Sequence, residues 1–210
     1  MLAVEDLRFA YPRARTPVLD GVSHTFAVGA LTAVTGTSGR GKSTLLYVLG
    51  LMLRATSGRV LLDGQAVGAL SDTRRSALRA AHLGFVFQDS ALDPARPVID
   101  SVMEPALYAG MSAPQRRERA HMLLEQLGLA ERARHRPGQI SGGQAQRAAV
   151  ARALMNDPSV LLADEPTGNL DRGNAEVVLD ALREMGSNRT VVIATHDPFV
   201  LERVDHVVAL

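Results

Sequence analysis

Six residues, Gly36-Thr37-Ser38-Gly39-Arg40-Gly41, run directly into Lys42, Ser43 and Thr44. The spacing G-x-x-x-x-G-K-S is that of a loop built to hold phosphate. Its glycines let the backbone curl until successive N–H groups face inward, at the positive end of the helix that follows. From there the Lys42 ammonium can reach β- and γ-phosphates and the Ser43 hydroxyl can ligate Mg²⁺. Lys42 is the single lysine of the chain, standing among 22 arginines. A coding bias toward arginine explains the 22 and makes the exception informative, because a compact ammonium on a flexible stem does what a planar guanidinium does not. The plainer alternative is a glycine-rich turn ahead of a core helix.

Phosphate chemistry of this kind needs a carboxylate for the metal and a group that activates water. Val160-Leu-Leu-Ala-Asp164-Glu165 supplies an apolar run ending in two adjacent acids. Asp164 fits the metal role and Glu165 the general base; taken alone, the pair could equally be a solvated turn. A second run, Thr190-Val-Val-Ile-Ala-Thr195, ends in His196, either an ordinary structural histidine or an imidazole placed where a γ-phosphate would sit. Ser141-Gly142-Gly143-Gln144 precedes a helical stretch expected over 145–156. Ser and Gln three apart form a capping box, which suffices for a well-capped helix. Two glycines in a first helical turn point further, to a backbone that meets something closely, such as phosphate held by a neighbouring copy of the chain.

Elements must bring these groups together. Residues 30–35, Ala-Leu-Thr-Ala-Val-Thr, read as a strand before the phosphate loop, and 42–53 as a buried helix after it. Strands buried on both faces of a parallel sheet are continuously apolar, and ligands gather at their carboxyl ends. A hairpin is expected at Asp63-Gly64. Ser112 and Gln115 form another capping box, opening a helix that ends at Leu127-Gly128. Its run Arg116-Arg117-Glu118-Arg119 reads as a solvated face.

Composition narrows the partners. The 210 residues are 46% apolar and 21% charged, with a formal charge of +1, so no global field favours nucleic acid. The absence of cysteine removes disulfides, thiolate metal sites and cysteine nucleophiles. No apolar run reaches the ~18 residues of a membrane span, and the opening Met1–Pro12 lacks a signal-peptide layout, which predicts a cytoplasmic chain.

Gly36–Thr44, Gln88, Ser141–Gln144, Asp164-Glu165, Asn169-Leu170-Asp171 and His196 occur in the order found in ATP-binding subunits of ABC transporters, and the chain resembles that family over essentially its whole length. The resemblance implies ATP and Mg²⁺ as ligands. It implies Tyr11 stacking on adenine, Gln88 at the metal and attacking water, and Ser141–Gln144 as a signature acting on the nucleotide of a second copy. By the same likeness Asn169–Asp171 is a loop crossing the dimer interface and His196 a γ-phosphate switch. The implied fold is α/β, a P-loop NTPase core with a mostly parallel sheet, an N-terminal antiparallel β part and an inserted helical subdomain. Within a single ABC ATPase domain of residues 1–210, residues 1–88 and 155–210 would form the core and 89–154 the helical subdomain. Partners would be a second copy and integral-membrane permease subunits on the cytoplasmic side of the membrane, with the proline-bearing loop from Gln88 to Tyr108 as the permease seat.

Gly84-Phe-Val-Phe-Gln88, His135-Arg-Pro137 and Ala163-Asp-Glu-Pro-Thr-Gly-Asn-Leu-Asp171 are similar to the group containing lipoprotein-releasing, macrolide-exporting and cell-division ATPases. Thr37 stands where proline is usual, Arg40 where a small residue is usual, and Ile140 where leucine is usual. Arg40 is expected to add a cation over the phosphates. The chain stops at Leu210, so no C-terminal regulatory domain is expected. Signalling through a permease without transport is one alternative. A soluble ABC ATPase is another, which the 52 residues between Gln88 and Ser141 disfavour as too few for a long coiled-coil insert.

Overall fold

The computed structural model describes residues 1–14, 16–37 and 39–210. In chain order the strands are β1 (Leu2–Phe9), β2 (Leu19–Phe26), β3 (Leu31–Thr35), β4 (Ser57–Leu62), β5 (Gln65–Ala66), β6 (Leu83–Val86), β7 (Val160–Asp164), β8 (Thr190–Ala194) and β9 (His206–Ala209). The helices are α1 (Lys42–Leu49), α2 (Asp72–His82), α3 (Val98–Tyr108), α4 (Ala113–Gln126), α5 (Gly142–Ala153), α6 (Arg172–Gly186) and α7 (Pro198–Leu201).

β7 and β8 are buried at every position, as strands covered on both faces must be. They lie inside a five-stranded parallel sheet of order β6-β7-β8-β3-β9. The period of two divides their side chains between two cores. Leu161, Ala163, Val191 and Ile193 face a cluster built with Val98, Val102, Leu124, Val150 and Leu182 of the helices. Val160, Leu162, Val192 and Ala194 face the other side, where Leu45, Leu46, Val48 and Leu49 of α1 meet Leu2, Val4, Leu7 and Phe26 of a four-stranded antiparallel sheet, β2-β1-β4-β5. Past its polar first turn α1 is apolar nearly all round because it is covered from both sides. The β4–β5 hairpin turns at Asp63 and Gly64, both with positive φ, as a two-residue turn matched to strand twist requires.

Three boundaries differ from the sequence reading. α1 stops at Leu49, not residue 53, since Gly50 caps it and Leu51 turns to φ +56, its carbonyl accepting from Arg75 at 2.6 Å and Arg79 at 2.8 Å. α5 begins at Gly142 and ends at Ala153 because the Ser141 cap starts the helix at once. The stretch from Gln88 to Tyr108 is not all loop: its second half is α3, which buries Val98, Ile99, Val102 and Ala106 at helical spacing and carries Pro105 inside, so that burial outweighs one lost backbone bond.

Candidate functional site

The parallel strands share one direction, so the loops leaving β3, β6, β7 and β8 meet at a single sheet edge. A cleft of about 890 Å³ opens there, walled by Tyr11, Gly36, Thr37, Gly39, Gly41, Lys42, Ser43, Thr44, Gln88, Glu165 and His196, with Val18 and Thr35. Gly41 caps α1 at φ +92, and a Cβ on it would stand 2.8 Å from Val18 Cγ1 and 3.0 Å from the Val18 carbonyl oxygen. Only glycine therefore lets the loop close against the approach to β2. Lys42, the first helical residue, is 9% exposed, and its Nζ donates to the Gly36 carbonyl at 3.0 Å across the loop. The free amides of the α1 first turn add partial positive charge to that concavity.

Ser43 Oγ donates to Asp164 Oδ1 at 2.9 Å. Burial pushes the Asp164 carboxyl above the ordinary carboxylate range and the adjacent Glu165 adds to the rise, against the opposing hydrogen bond from Ser43 and the charge of Lys42. Glu165 leaves β7 at φ +43, a conformation costing a residue with a Cβ about 1 kcal/mol or more. Its N–H donates to the Ala194 carbonyl at 2.9 Å and its own carbonyl accepts from Gly168 N–H at 3.1 Å, which holds the turn. The carboxylate is fixed as well. Oε2 accepts from Thr195 Oγ1 at 2.9 Å and Oε1 lies 2.7 Å from His196 Nδ1. The His196 side chain is 74% exposed, against 13% for Glu165, so the imidazole stands between the acid and the open cleft. Tyr11 sets its ring edge-on to Phe9, 4.9 Å between centroids, and its hydroxyl is 3.1 Å from Thr44 Oγ1, leaving the ring exposed at the cleft rim.

Not every expected residue lines this cleft. Arg40 is exposed and does not line the cleft; its N–H donates to the Thr37 carbonyl at 3.2 Å. Ser38 lies outside the described residues. Ser141–Gln144 do not line the cleft either. Ser141 N–H donates to Gln144 Oε1 at 2.9 Å and Gln144 N–H to Ser141 Oγ at 3.2 Å, so the capping box is closed. Gly142 is exposed and joins Gln88, Pro166, Asn169 and Leu170 around a separate depression of about 230 Å³. Gly143 is buried against α6, where a Cβ would fall 2.3 Å from Asn174 Oδ1. The two glycines thus have different reasons to be glycine. Asp171 caps α6, accepting from Asn174 N–H at 2.9 Å and Asn174 Nδ2 at 2.7 Å, and these bonds hold its carboxyl below the ordinary range.

Sequence reasoning missed Thr195 as the partner that orients Glu165, although its place between the strand end and His196 could have revealed it. Tyr47 was missed too. It follows Ser43 by one helical turn, and burial followed by the Asp164 charge raises its hydroxyl.

The family model for ABC transporters matches residues 19–168. A lipoprotein-releasing system ATP-binding protein LolD of Paramagnetospirillum magneticum is 46% identical over 213 residues, covering 100% of this chain and 94% of that protein. A macrolide export ATP-binding/permease protein MacB of Chromobacterium violaceum is 45% identical over 204 residues, covering 97% of this chain. The chain spans 32% of that MacB, so most of the MacB polypeptide has no counterpart in it. Among solved structures, a dimeric post-hydrolysis state of the ATP-binding cassette MJ0796 bound to ADP and Pi superposes with TM-score 0.88 at 33% identity, covering 100% of this chain and 94% of that one. CbiO1 from Clostridium perfringens, part of the transporter complex cbiONQ, gives TM-score 0.89 at 32% identity, covering 99% and 83%. The chain belongs to the ABC transporter family and is one of its ATP-binding, ATP-hydrolysing cassettes.

Proposed function

We propose that this chain works as a pair, two copies closing head to tail on ATP so that each cleft is completed by the other copy's Ser141–Gln144. The observation that carries this reading is where the two phosphate-type features lie: among the described residues the cleft around Lys42 is lined by no helix start but that of α1, and the exposed Gly142 turn lines a neighbouring depression that meets the cleft only at Gln88. The dimeric MJ0796 cassettes of the same fold support it. Two copies facing each other by a two-fold axis would form two equivalent sites.

In such a site the loop amides and Lys42 bind the β- and γ-phosphates, and Tyr11 presents its ring to the base. Glu165 takes a proton from water as the water oxygen attacks the γ-phosphorus. The bond from that phosphorus to the β–γ bridging oxygen breaks, and the charge left on ADP falls to Lys42 and the loop amides. Thr195 and His196 hold the Glu165 carboxylate from both oxygens, so it is oriented before water arrives. His196 and Gln88, at the cleft mouth, contact the γ-phosphate and lose that contact on hydrolysis. Ser43, Asp164 and Gln88 would hold Mg²⁺, which supplies neutralisation of charge shared by β- and γ-oxygens. The donors fit a hard cation: a hydroxyl and a carboxyl oxygen lie 2.9 Å apart at the start of α1 and the end of β7. No group of three or more metal-binding acids or imidazoles exists among the described residues.

The membrane partner would be a permease seated on a groove of about 420 Å³ between α2, β6, α3 and α5, where Tyr108 is 77% exposed beside Pro105 and Phe85. No helix among the described residues is long and apolar enough to cross a membrane. The chain would therefore sit on the cytoplasmic side through that partner, serving lipoprotein release or macrolide export as the names of its relatives suggest. Residues 1–88 with 155–210 would carry nucleotide and 89–154 would move with the partner.

The test is Glu165→Gln, which keeps the shape of the site and removes the base. It should bind ATP, lose turnover by about a hundredfold or more and elute as an ATP-dependent dimer on size exclusion. A variant that stays monomeric at saturating ATP refutes the paired reading.

A further inference from the structure

The loop that carries Gln88 is held by α5 from beneath. Gln146, 3% exposed, donates through Nε2 to the Phe87 carbonyl at 3.0 Å. Arg152, two turns further along, donates through Nη2 to the Ser90 carbonyl at 2.7 Å and through Nη1 to the Ala91 carbonyl at 2.5 Å. Ser90 and Ala91 both have positive φ, +53 and +50, which residues with a Cβ adopt only when something fixes them. The Ser90 N–H donates to the Phe87 carbonyl at 3.2 Å within the turn, and the two-pronged guanidinium holds the Ser90 and Ala91 carbonyls from outside it. Arg152 also lines the groove between α2, β6, α3 and α5, so one side chain touches both the groove and the Gln88 loop. Burial lowers its basicity somewhat, Glu104 opposing, yet an arginine so placed stays charged and keeps its fork.

We infer that Arg152 is a positioning residue for ATP hydrolysis: its fork on the Ser90 and Ala91 carbonyls sets the loop geometry that presents Gln88 to the cleft, and it links the state of the groove to that presentation. The inference rests on the reading that Gln88 takes part in hydrolysis. Lysine is no substitute, because one ammonium cannot span two successive carbonyls in the geometry of a planar fork.

The experiment is a double-substitution cycle on the full chain, Arg152→Met and Gln88→Ala singly and together, with Arg152→Lys as the conservative variant. ATP affinity, KM and kcat are measured, along with hydrogen exchange of a peptide covering residues 87–92. Arg152→Met should leave KM within about twofold and lower kcat about tenfold, the pattern of a lost alignment rather than lost binding. It should speed exchange at Ser90 and Ala91 N–H, and it should cost less than about twofold more in the Gln88→Ala background. Arg152→Lys should recover only part of kcat. If Gln88→Ala loses turnover while Arg152→Met does not, or if the two losses multiply, the inference is overturned and the reading of Gln88 stands. If Gln88→Ala keeps full kcat, that reading falls and takes the inference with it. If Arg152→Met melts far below wild type and loses ATP binding as well, the residue is a plain structural brace and the inference is likewise rejected.

Discussion

Gly143 offers a sharp test because the two glycines of the α5 cap are separable. Replacing Gly143 by alanine puts a Cβ 2.3 Å from Asn174 Oδ1, 2.6 Å from its Cγ and 2.9 Å from its Cβ. These approaches are too short to survive, and the Asn174 side chain cannot swing freely because its Nδ2 is bonded to Asp171 Oδ2 at 2.7 Å. Overpacking of this kind costs about 3 kcal/mol at the upper end, and alanine returns about 1 kcal/mol through helix propensity, leaving a net loss of about 2 kcal/mol. For a domain of this size that corresponds to a fall in Tm of about 4–8 °C. Gly142→Ala meets nothing nearer than Leu170 Cδ2 at 3.7 Å and, with the same propensity gain, should be as stable as wild type or more stable by up to about 1 kcal/mol. Asn174→Ala removes the two shortest approaches, so adding it to Gly143→Ala should raise Tm above that of Gly143→Ala alone. Urea titrations and thermal melts followed by circular dichroism decide the matter. The packing account fails if Gly143→Ala melts within 1 °C of wild type, or if the double variant loses the sum of the two single losses, a limit set by the additivity expected of residues that do not touch. ATPase assays on the same proteins then show what Gly142 contributes to catalysis apart from folding.

Lys42→Arg keeps the charge but must place a wide planar group in a loop where Lys42 is 9% exposed and bonded to Gly36; calorimetric titration should show ATP binding weakened by about tenfold or more, and unchanged affinity would contradict a tight nest. Asp205 accepts from Leu31 N–H at 2.8 Å, and that bond, then Arg183, holds its carboxyl below the ordinary 3.8. A depressed carboxyl stabilises the fold above its unfolded pKa and gives that stability up as pH falls through its folded value. The stability gap between wild type and Asp205→Asn should therefore be constant near neutrality and close below about pH 4; a gap that widens on acidification would reverse the sign.

Much of the site was legible because local patterns encode it. The run Leu31–Thr35, the glycine-spaced loop and the apolar strand ending at Asp164 each need only neighbours in sequence, and all three meet at the expected sheet edge. Less was legible where tertiary contact overrides local preference. Prolines at 97 and 105 marked a loop, yet burial of Val98, Ile99, Val102 and Ala106 makes α3. Gly142 and Gly143 looked alike, and only the approach of Asn174 from α6 separates them. Glu165 at φ +43 and the Arg152 fork beneath residues 90 and 91 depend on partners distant in sequence, which no spacing rule anticipates.

The solitary lysine has a practical consequence. With 22 arginines and no other lysine, the sequence offers acylating or reductive-alkylating reagents one side-chain amine, and that amine lies inside the phosphate loop. Covalent tagging of Lys42 thus becomes a chemical footprint of occupancy: bound ATP should shield it, and the extent of modification reads out how full the cleft is without any engineered probe.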